Sequence, residues 1–207
     1  VKDCILTYNI SYVLVGPEMP LIKGIYDHIK NDPALSKVLV IGPSKHGSKL
    51  EGSKDFAKSF MKKYNIPTAN YMSFNKHTIN EGIEYIRNSN PPYVIKADGP
   101  AAGKGVVIVD NKNEAVHILK EMILNLKFGK SSQKVVIEEF LQGIEMSCFA
   151  LFDGLNYKIL PYAKDYKQIG EGDTGLNTGG MGSVSPVNFL DKDLKNKIEN
   201  NIIKPTI

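Results

Sequence analysis

Glycines and lysines are concentrated in one segment of the sequence, VIKADGPAAGKGV at residues 94–106. Glycine lets backbone N–H groups crowd around an anion, and a lysine ammonium adds a compact positive charge. The segment therefore predicts a phosphate-binding loop between two strands, and a plain hairpin turn is the alternative. The residues concerned are Lys96, Gly99, Gly103, Lys104 and Gly105.

The loop differs from the Walker A motif, which has four residues between its first glycine and the Gly-Lys pair and then a Ser or Thr. Here three residues, 100–102, intervene, and Gly105 stands at the hydroxyl position. The loop also joins two predicted strands, whereas a P-loop opens a helix. Phosphate binding here would therefore use another architecture.

A second segment, VVIEEFLQGIE at residues 135–145, is an apolar strand that ends in carboxylates. Glu138 and Glu139 close the strand, and Glu145 follows six residues after Glu139. Buried strand ends rarely carry acids without a partner. A nucleotide would explain them, because Glu138 can accept a hydrogen bond from an adenine amino group and Glu145 can accept from ribose hydroxyls. Surface acids at a sheet edge are the alternative.

Short apolar runs alternate with helical patterns along the chain. Strands at residues 12–15 and 38–41, with a helix at 21–29 between them, predict parallel strands joined by a crossover. A helix capped by Ser53 and running to about Tyr64 carries an apolar stripe, Phe56, Phe60 and Met61, that is expected to be core.

A small α+β lobe is expected next, from strands and helices that alternate between residues 69 and 138. The strands are at 69–74, 93–97, 106–109 and 135–138, and the helices at 79–86 and 114–124. A hairpin around Asp153-Gly154 follows, with strands at 146–152 and 157–160. The segment DTGLNTGGMG at residues 173–182 is too rich in glycine for a helix and too poor in apolar residues for a buried strand, and so predicts a shaped loop.

Composition narrows the classes of protein. The chain has 207 residues and a net charge of +4 that is spread thinly along it, so a nucleic-acid partner is not expected. Its apolar runs fall far short of the roughly 20 residues that a membrane helix needs. With no secretory signal pattern, the expected location is cytoplasmic, without a membrane partner.

Five motifs, in this order, resemble those of the glycinamide ribonucleotide synthetase (phosphoribosylamine-glycine ligase) family of ATP-grasp enzymes. They span nearly the whole chain: VGPEMPL at 15–21, EGSKDFAKSFM at 51–61, VIKADGPAAGKGV at 94–106, VVIEEFLQGIE at 135–145 and DTGLNTGGMG at 173–182.

The resemblance implies an α/β and α+β fold. Residues 1–50 would be the end of a parallel-sheet amino-terminal domain, residues 51–70 and 138–207 part of a central ATP-grasp domain, and residues 71–137 a small mobile lobe, the lid. The family's opening strand would precede Val1, so the chain is expected to be a central fragment, with further domains of the same enzyme fused to it or following it.

The resemblance also implies a reaction. Glycine is joined to 5-phosphoribosylamine through glycyl phosphate, at the expense of ATP, to give glycinamide ribonucleotide, ADP and phosphate in purine biosynthesis. ATP and Mg²⁺, or Mn²⁺, are the implied cofactors. No metal ligand is assigned, because the family's magnesium ligands would follow Ile207, and the segment alone is therefore expected to show little turnover. The alternatives are another ATP-grasp carboxylate-amine ligase and an ATP-binding module without catalysis.

Site residues follow from the matched motifs. Lys54 and Lys96 match lysines at the triphosphate, and the loop with Lys104 would close over the β and γ phosphates. Pro100 departs from the family's usual Leu, and proline has no N–H to donate to a phosphate. Glu138 and Glu139 with the backbone of Phe140 and Leu141 would bind adenine, and Glu145 the ribose; core packing is the alternative for Phe140. The candidates for substrate binding are Glu18, Asp173, Asn177, Thr178, Gly179 and Gly180.

Overall fold

The structure is a computed structural model that describes residues 1–101, 103–172 and 174–207, with the backbone alone at 176 and 177. The chain divides into two compact units, Val1–Ala57 and Lys58–Ile207. Among the described residues, no helix is both long enough and apolar enough to cross a membrane.

The first unit is built on two short parallel strands. β1 and β2 pair in the register Tyr12↔Leu39, which confirms the predicted parallel pairing. Their core contains Ile29, Leu35 and Val40. The elements are α1 (Lys2–Thr7), β1 (Tyr12–Leu14), α2 (Glu18–Ile22), α3 (Ile25–Asn31), β2 (Leu39–Ile41) and α4 (Lys49–Gly52).

The single helix predicted for residues 21–29 is wrong. The chain forms α2 and α3 instead, and Gly24 between them has a φ of +89°. That left-handed conformation is available to glycine at no steric cost, and it interrupts the helix.

Helix α5 (Lys54–Lys63) begins after Ser53, whose Oγ accepts a hydrogen bond from the Phe56 N–H at 3.1 Å and confirms the predicted cap. The expectation that the apolar stripe forms the core is wrong, because Phe56, Phe60 and Met61 are only half-buried. The buried residue of α5 is Lys58, which is 7% exposed.

The second unit begins with an antiparallel sheet that carries two helices on one face. Its strand order is β3-β6-β4-β5, and every neighbouring pair is antiparallel. This is the predicted α+β arrangement. The elements are β3 (Tyr71–Asn75), α6 (Ile79–Asn88), β4 (Tyr93–Ala97), β5 (Val106–Val109), α7 (Lys112–Leu124) and β6 (Lys134–Glu139).

The core of this sheet lies on the face that packs against α6 and α7. Tyr93 and Ile95 of β4 and Ile137 of β6 join Leu119 and Met122 of α7 in one buried cluster. Because successive side chains of a strand point to opposite faces, Lys96 and Glu138 lie on the other face. One face of the sheet is therefore apolar and packed, and the other carries the charged candidates.

The rest of the second unit contains two strand pairs and a small helical cluster. The predicted hairpin at Asp153-Gly154 is confirmed, since Asp153 Oδ1 accepts hydrogen bonds from the N–H groups of Leu155 and Asn156. The elements are β7 (Ala150–Phe152), β8 (Tyr157–Ile159), β9 (Lys164–Gly170), β10 (Thr174–Val184), α8 (Lys192–Ile198) and α9 (Lys204–Thr206).

The shaped loop predicted for residues 173–182 is wrong for the residues that the structure describes. From Thr174 the segment forms β10, which pairs with β9 with two register shifts. Many of its residues are exposed, so the strand needs no apolar residues. The register shifts and the positive φ angles of Gly175 and Gly180 are typical of β-bulges, which glycine accommodates.

The packing of α7 generates a stability prediction. Leu119 is fully buried, so Leu119→Ala should lower the free energy of unfolding by about 2–5 kcal/mol through lost apolar contact and an unfilled cavity. Urea unfolding followed by circular dichroism measures it. Lys120→Ala, at the next and exposed position, should stay within about 0.5 kcal/mol of the parent. Equal losses in the two variants would contradict this placement of the core.

Candidate nucleotide-binding site

The centre of the candidate site is the Glu138 carboxylate on β6. Its side chain is 7% exposed, and Oε2 lies 2.9 Å from Lys96 Nζ and 3.2 Å from Lys58 Nζ. A buried carboxylate is costly unless charged or hydrogen-bonding partners compensate it, and the two ammonium groups do so. The three groups together carry a net charge of +1.

Strand register brings Lys96 to Glu138. Across the β4–β6 pair, Glu138 lies opposite Val94 and Lys96 lies opposite Val136. Lys96 and Glu138 are therefore diagonal neighbours on one face, a separation of about 7–8 Å between backbones that two long side chains can bridge. The sheet thus joins two sequence motifs that are 42 residues apart.

Lys58 was not among the residues expected at the site, yet it is the second cation beside Glu138. Its Nζ also donates to Thr68 Oγ1 at 2.8 Å and to the Ala69 carbonyl at 3.2 Å. The Tyr71 ring lies 5.7 Å from the same nitrogen. One signal was present in the sequence: Lys58 follows Lys54 at the i,i+4 spacing, which places both on one face of a helix.

Glu139 has a different partner from Glu138. Its Oε1 accepts from the Asn70 backbone N–H at 2.9 Å and its Oε2 from the Asn70 side-chain amide at 3.0 Å. These hydrogen bonds hold the pKa of Glu139 below its usual value. The bond from the Asn70 backbone contributes most, and the charge of Lys58 makes a smaller contribution. The strand-end acids therefore have protein partners.

The glycine loop is tied to a neighbouring segment at its start. The Gly99 N–H donates to the Ser131 carbonyl at 3.0 Å, and Ser131 Oγ donates to the Pro100 carbonyl at 2.6 Å. A Cβ on Gly99 would lie 2.9 Å from Ser131 Oγ, so this close approach requires glycine. Pro100 thus contributes its carbonyl oxygen, and its missing N–H costs nothing at this contact.

The tip of the loop is more open. Gly103 has a φ of +75° and nothing within 4 Å of an added Cβ, and Lys104 is exposed. Gly105 is buried against Ala97 and Ala101. The loop therefore has a packed base and a cationic tip, an arrangement suited to a phosphate chain.

A second polar cluster surrounds Lys167 of β9. Lys167 forms an ion pair with Glu145, and the hydrogen bond between them raises the pKa of Lys167. The Lys167 carbonyl accepts from Thr178 Oγ1 at 2.9 Å, and the Gly180 N–H donates to that hydroxyl at 3.1 Å. Glu145 and part of the glycine-rich strand are therefore brought together through a lysine that was not expected at the site.

The other expected residues have the following positions. Phe140 and Leu141 follow β6 and are 40% and 64% exposed, which does not support core packing for Phe140. Glu18 is the first residue of α2, and Lys54 is the first residue of α5. Gly179 lies in β10; Asp173 and the side chain of Asn177 lie outside the described residues.

The fold and this site define an ATP-grasp protein. The chain superimposes on the D-alanine–D-alanine ligase of Bacillus anthracis with a TM-score of 0.68, covering 99% of this chain and 63% of that one at 18% identity, which shows the fold alone. The family model described as phosphoribosylglycinamide synthetase, ATP-grasp (A) domain, matches residues 52–207. The chain belongs to that family.

Similar proteins support this membership. The chain is 47% identical over 205 residues to the bifunctional purine biosynthetic protein PUR2,5 of Pichia angusta, covering 99% of this chain and 25% of the relative. The crystal structure of phosphoribosylamine–glycine ligase from Thermotoga maritima has a TM-score of 0.75 and 43% identity, covering 87% of this chain and 44% of that one. The chain thus spans less than half of each.

Membership of the ATP-grasp family implies ATP and Mg²⁺. The lysine ammonium groups and the glycine loop fit a nucleotide polyphosphate, because they combine net positive charge with close backbone approach. Within the described ranges, no group of three or more His, Cys, Asp or Glu residues could hold a metal ion. No magnesium ligand is therefore assigned among the described residues.

The Asn70–Glu139 contact predicts a pH dependence. Because the folded pKa of Glu139 is lowered, the stabilisation is fully present above its ordinary value of 4.5 and is lost as the pH falls through the folded value. Titration of the Glu139 carboxyl by ¹³C NMR should give a pKa below 4.5, and Asn70→Ala should raise it by removing one of the two donors. An unchanged pKa in that variant would contradict the assignment.

Proposed function

We propose that this chain carries the ATP-binding part of a phosphoribosylamine–glycine ligase. The enzyme would join glycine to 5-phosphoribosylamine and give glycinamide ribonucleotide, ADP and phosphate. The observation that supports this most is the Lys96–Glu138 pair, whose charged atoms lie 2.9 Å apart on the face of the sheet opposite α6 and α7, in a family described as ATP-grasp. Glycine, 5-phosphoribosylamine and ATP are the proposed substrates.

The reaction would proceed in two steps. A glycine carboxylate oxygen attacks the γ-phosphorus of ATP, which releases ADP and forms glycyl phosphate. The amine of 5-phosphoribosylamine then attacks the acyl carbon, loses a proton and displaces phosphate as the amide forms. Activation is needed because a free carboxylate is a poor electrophile at neutral pH. No covalent intermediate on the protein is required.

The contribution of this chain to these steps would be placement and charge compensation. Lys96 has a side chain that is 26% exposed, so its ammonium group can contact solvent and a ligand. It would neutralise charge on the transferred phosphoryl group, and Lys54 would assist from α5. The loop at residues 99–105 would exclude water from the acyl phosphate, with Lys104 at its tip.

The remaining site assignments are part of the same proposal. The backbone of Phe140 and Leu141 would contact adenine beside Glu138 and Glu139, and Glu145 would contact the ribose. Residues 173–180 and Glu18 would contribute to the phosphoribosylamine and acyl-phosphate site. Manganese as a substitute for magnesium, a cytoplasmic location, fusion to further domains and the domain limits at residues 50, 70 and 137 also remain proposals.

Nucleotide binding tests the role of Lys96. Lys96→Met should weaken ATP binding to the 207-residue chain by about 10- to 100-fold, because a charge-assisted hydrogen bond to phosphate is lost. Isothermal titration calorimetry measures the dissociation constant. Lys120→Met, an exposed substitution on α7, is the matched control and should bind like the parent. Equal affinities in all three proteins would refute the site.

The ligation itself is tested with the complete gene product that contains this chain. ADP formation should require both glycine and 5-phosphoribosylamine, and the amide product should appear in equal amount by mass spectrometry. ADP release that is independent of glycine would argue for a different carboxylate substrate. The absence of any release, in a protein that binds ATP, would favour a binding module without catalysis.

A further inference from the structure

Lys58 has an ammonium group that is enclosed by oxygen atoms of the protein. Nζ has three N–H donors, and three acceptors lie around it: Thr68 Oγ1 at 2.8 Å, the Ala69 carbonyl at 3.2 Å and Glu138 Oε2 at 3.2 Å. The side chain is 8% exposed. Lys58 therefore has two hydrogen bonds to the protein and an ion pair with the carboxylate oxygen that Lys96 also contacts, and its side chain is nearly closed to a ligand.

Lys96 is in the opposite situation. Among the described residues, the Glu138 carboxylate is its single hydrogen-bond partner, so two of its three donors are unused by that part of the chain. Its side chain is also more exposed than that of Lys58, at 26% against 8%. The two lysines thus share the Glu138 carboxylate as counterion, but Lys58 is enclosed by the protein and Lys96 is accessible to a ligand.

We infer that Lys58 is a positioning residue that acts through Glu138, and this inference rests on the proposed function. Lys58 compensates the Glu138 carboxylate, so that the Lys96 ammonium keeps net positive charge and free donors for a nucleotide phosphate. With Lys58 present, the three groups sum to +1; without it, Lys96 and Glu138 sum to zero. A phosphate approaching Lys96 would then meet a carboxylate that has only Lys96 as its cation.

The architecture supports an indirect role. Lys58 is anchored to the backbone at Ala69 and to the Thr68 hydroxyl, in the segment that leads into β3. Tyr71 of β3 lies opposite Glu138 across the β3–β6 pair, and its ring lies 5.7 Å from the same nitrogen. Lys58 is therefore fixed relative to the strand that carries Glu138, and its charge is held beside the carboxylate by contacts within the protein.

A double-mutant cycle on ATP binding tests the inference. Lys58→Met should raise the dissociation constant for ATP by about tenfold in the parent chain, because Lys96 is then the sole counterion of Glu138 among these three groups, and the carboxylate competes with the phosphate for its ammonium group. In the Glu138→Gln background, which has no carboxylate to compensate, the same substitution should change it by less than about threefold. Lys58→Arg, which keeps the charge, should restore most of the affinity.

The controls separate this role from a structural one. Lys62→Met, an exposed substitution one turn further along α5, should leave the affinity unchanged. If Lys58→Met does not fold, Lys58→Gln carries the same test, since its amide can still donate to Thr68 and Ala69. A loss of affinity that is equal in the two Glu138 backgrounds would mean that Lys58 only supports the fold, and would overturn the inference.

The result for the parent chain distinguishes the two proposals. A parent chain that does not bind ATP would overturn the proposed function and this inference together. A parent chain that binds ATP, with a Lys58→Met variant of equal affinity, would overturn the inference alone.

Discussion

The burial of the Glu138 carboxylate between two ammonium groups is the constraint on which the site depends. A carboxylate that is 7% exposed needs cations at fixed positions, and they come from different elements: Lys96 from β4 and Lys58 from α5. Strands β3, β4 and β6 must therefore be aligned, and the Lys58 side chain of α5 must reach the face of the sheet opposite α6 and α7. The electrostatics of three residues thereby fix the arrangement of four elements.

The two faces of the sheet have different roles: one packs against the helices, and the other carries the charged residues of the candidate site. Alternation along β4 and β6 gives one face to the apolar cluster under α6 and α7 and the other to Lys96 and Glu138. The strands can thus be rigid without occupying the ligand face. The glycine loop continues β4 directly, so its packed base at Gly99 and Ser131 is held by the same framework. A pre-organised charged surface of this kind suits a polyanionic ligand.

Local patterns predicted much of the fold, and their limits have physical causes. β4 and β5 have the predicted ends, because apolar runs bounded by proline and glycine leave little freedom in placing a strand. The helix break at Gly24 was missed, since a glycine within an apolar helical pattern is compatible with either outcome. The bulged strand β10 was missed because its stability depends on pairing with β9, a partner that composition does not reveal.

In the candidate site, too, local sequence indicated some residues, and others depend on long-range contacts. Lys96, Glu138 and the glycine loop were predicted as site residues from residue type and spacing, and the structure places the Lys96 and Glu138 side chains 2.9 Å apart. Lys58 was not predicted, because a lysine in a helix is ordinarily solvated and its burial depends on a carboxylate 80 positions later in the sequence. Lys167 was missed for a similar reason: its contact with Thr178 arises from the pairing of β9 with β10, and its ion-pair partner Glu145 lies 22 positions earlier in the sequence, between β6 and β7.

The diagonal placement of Lys96 and Glu138 restricts where the chain can change length. Deleting or inserting one residue within β4 or β6 would rotate one of the two charges into the apolar layer beneath the helices, where it would have neither water nor a counterion. The connection between β4 and β5 is not limited in this way. Variation in length is therefore tolerable at the exposed tip of this loop, around Gly103 and Lys104, and forbidden in the strands that support it.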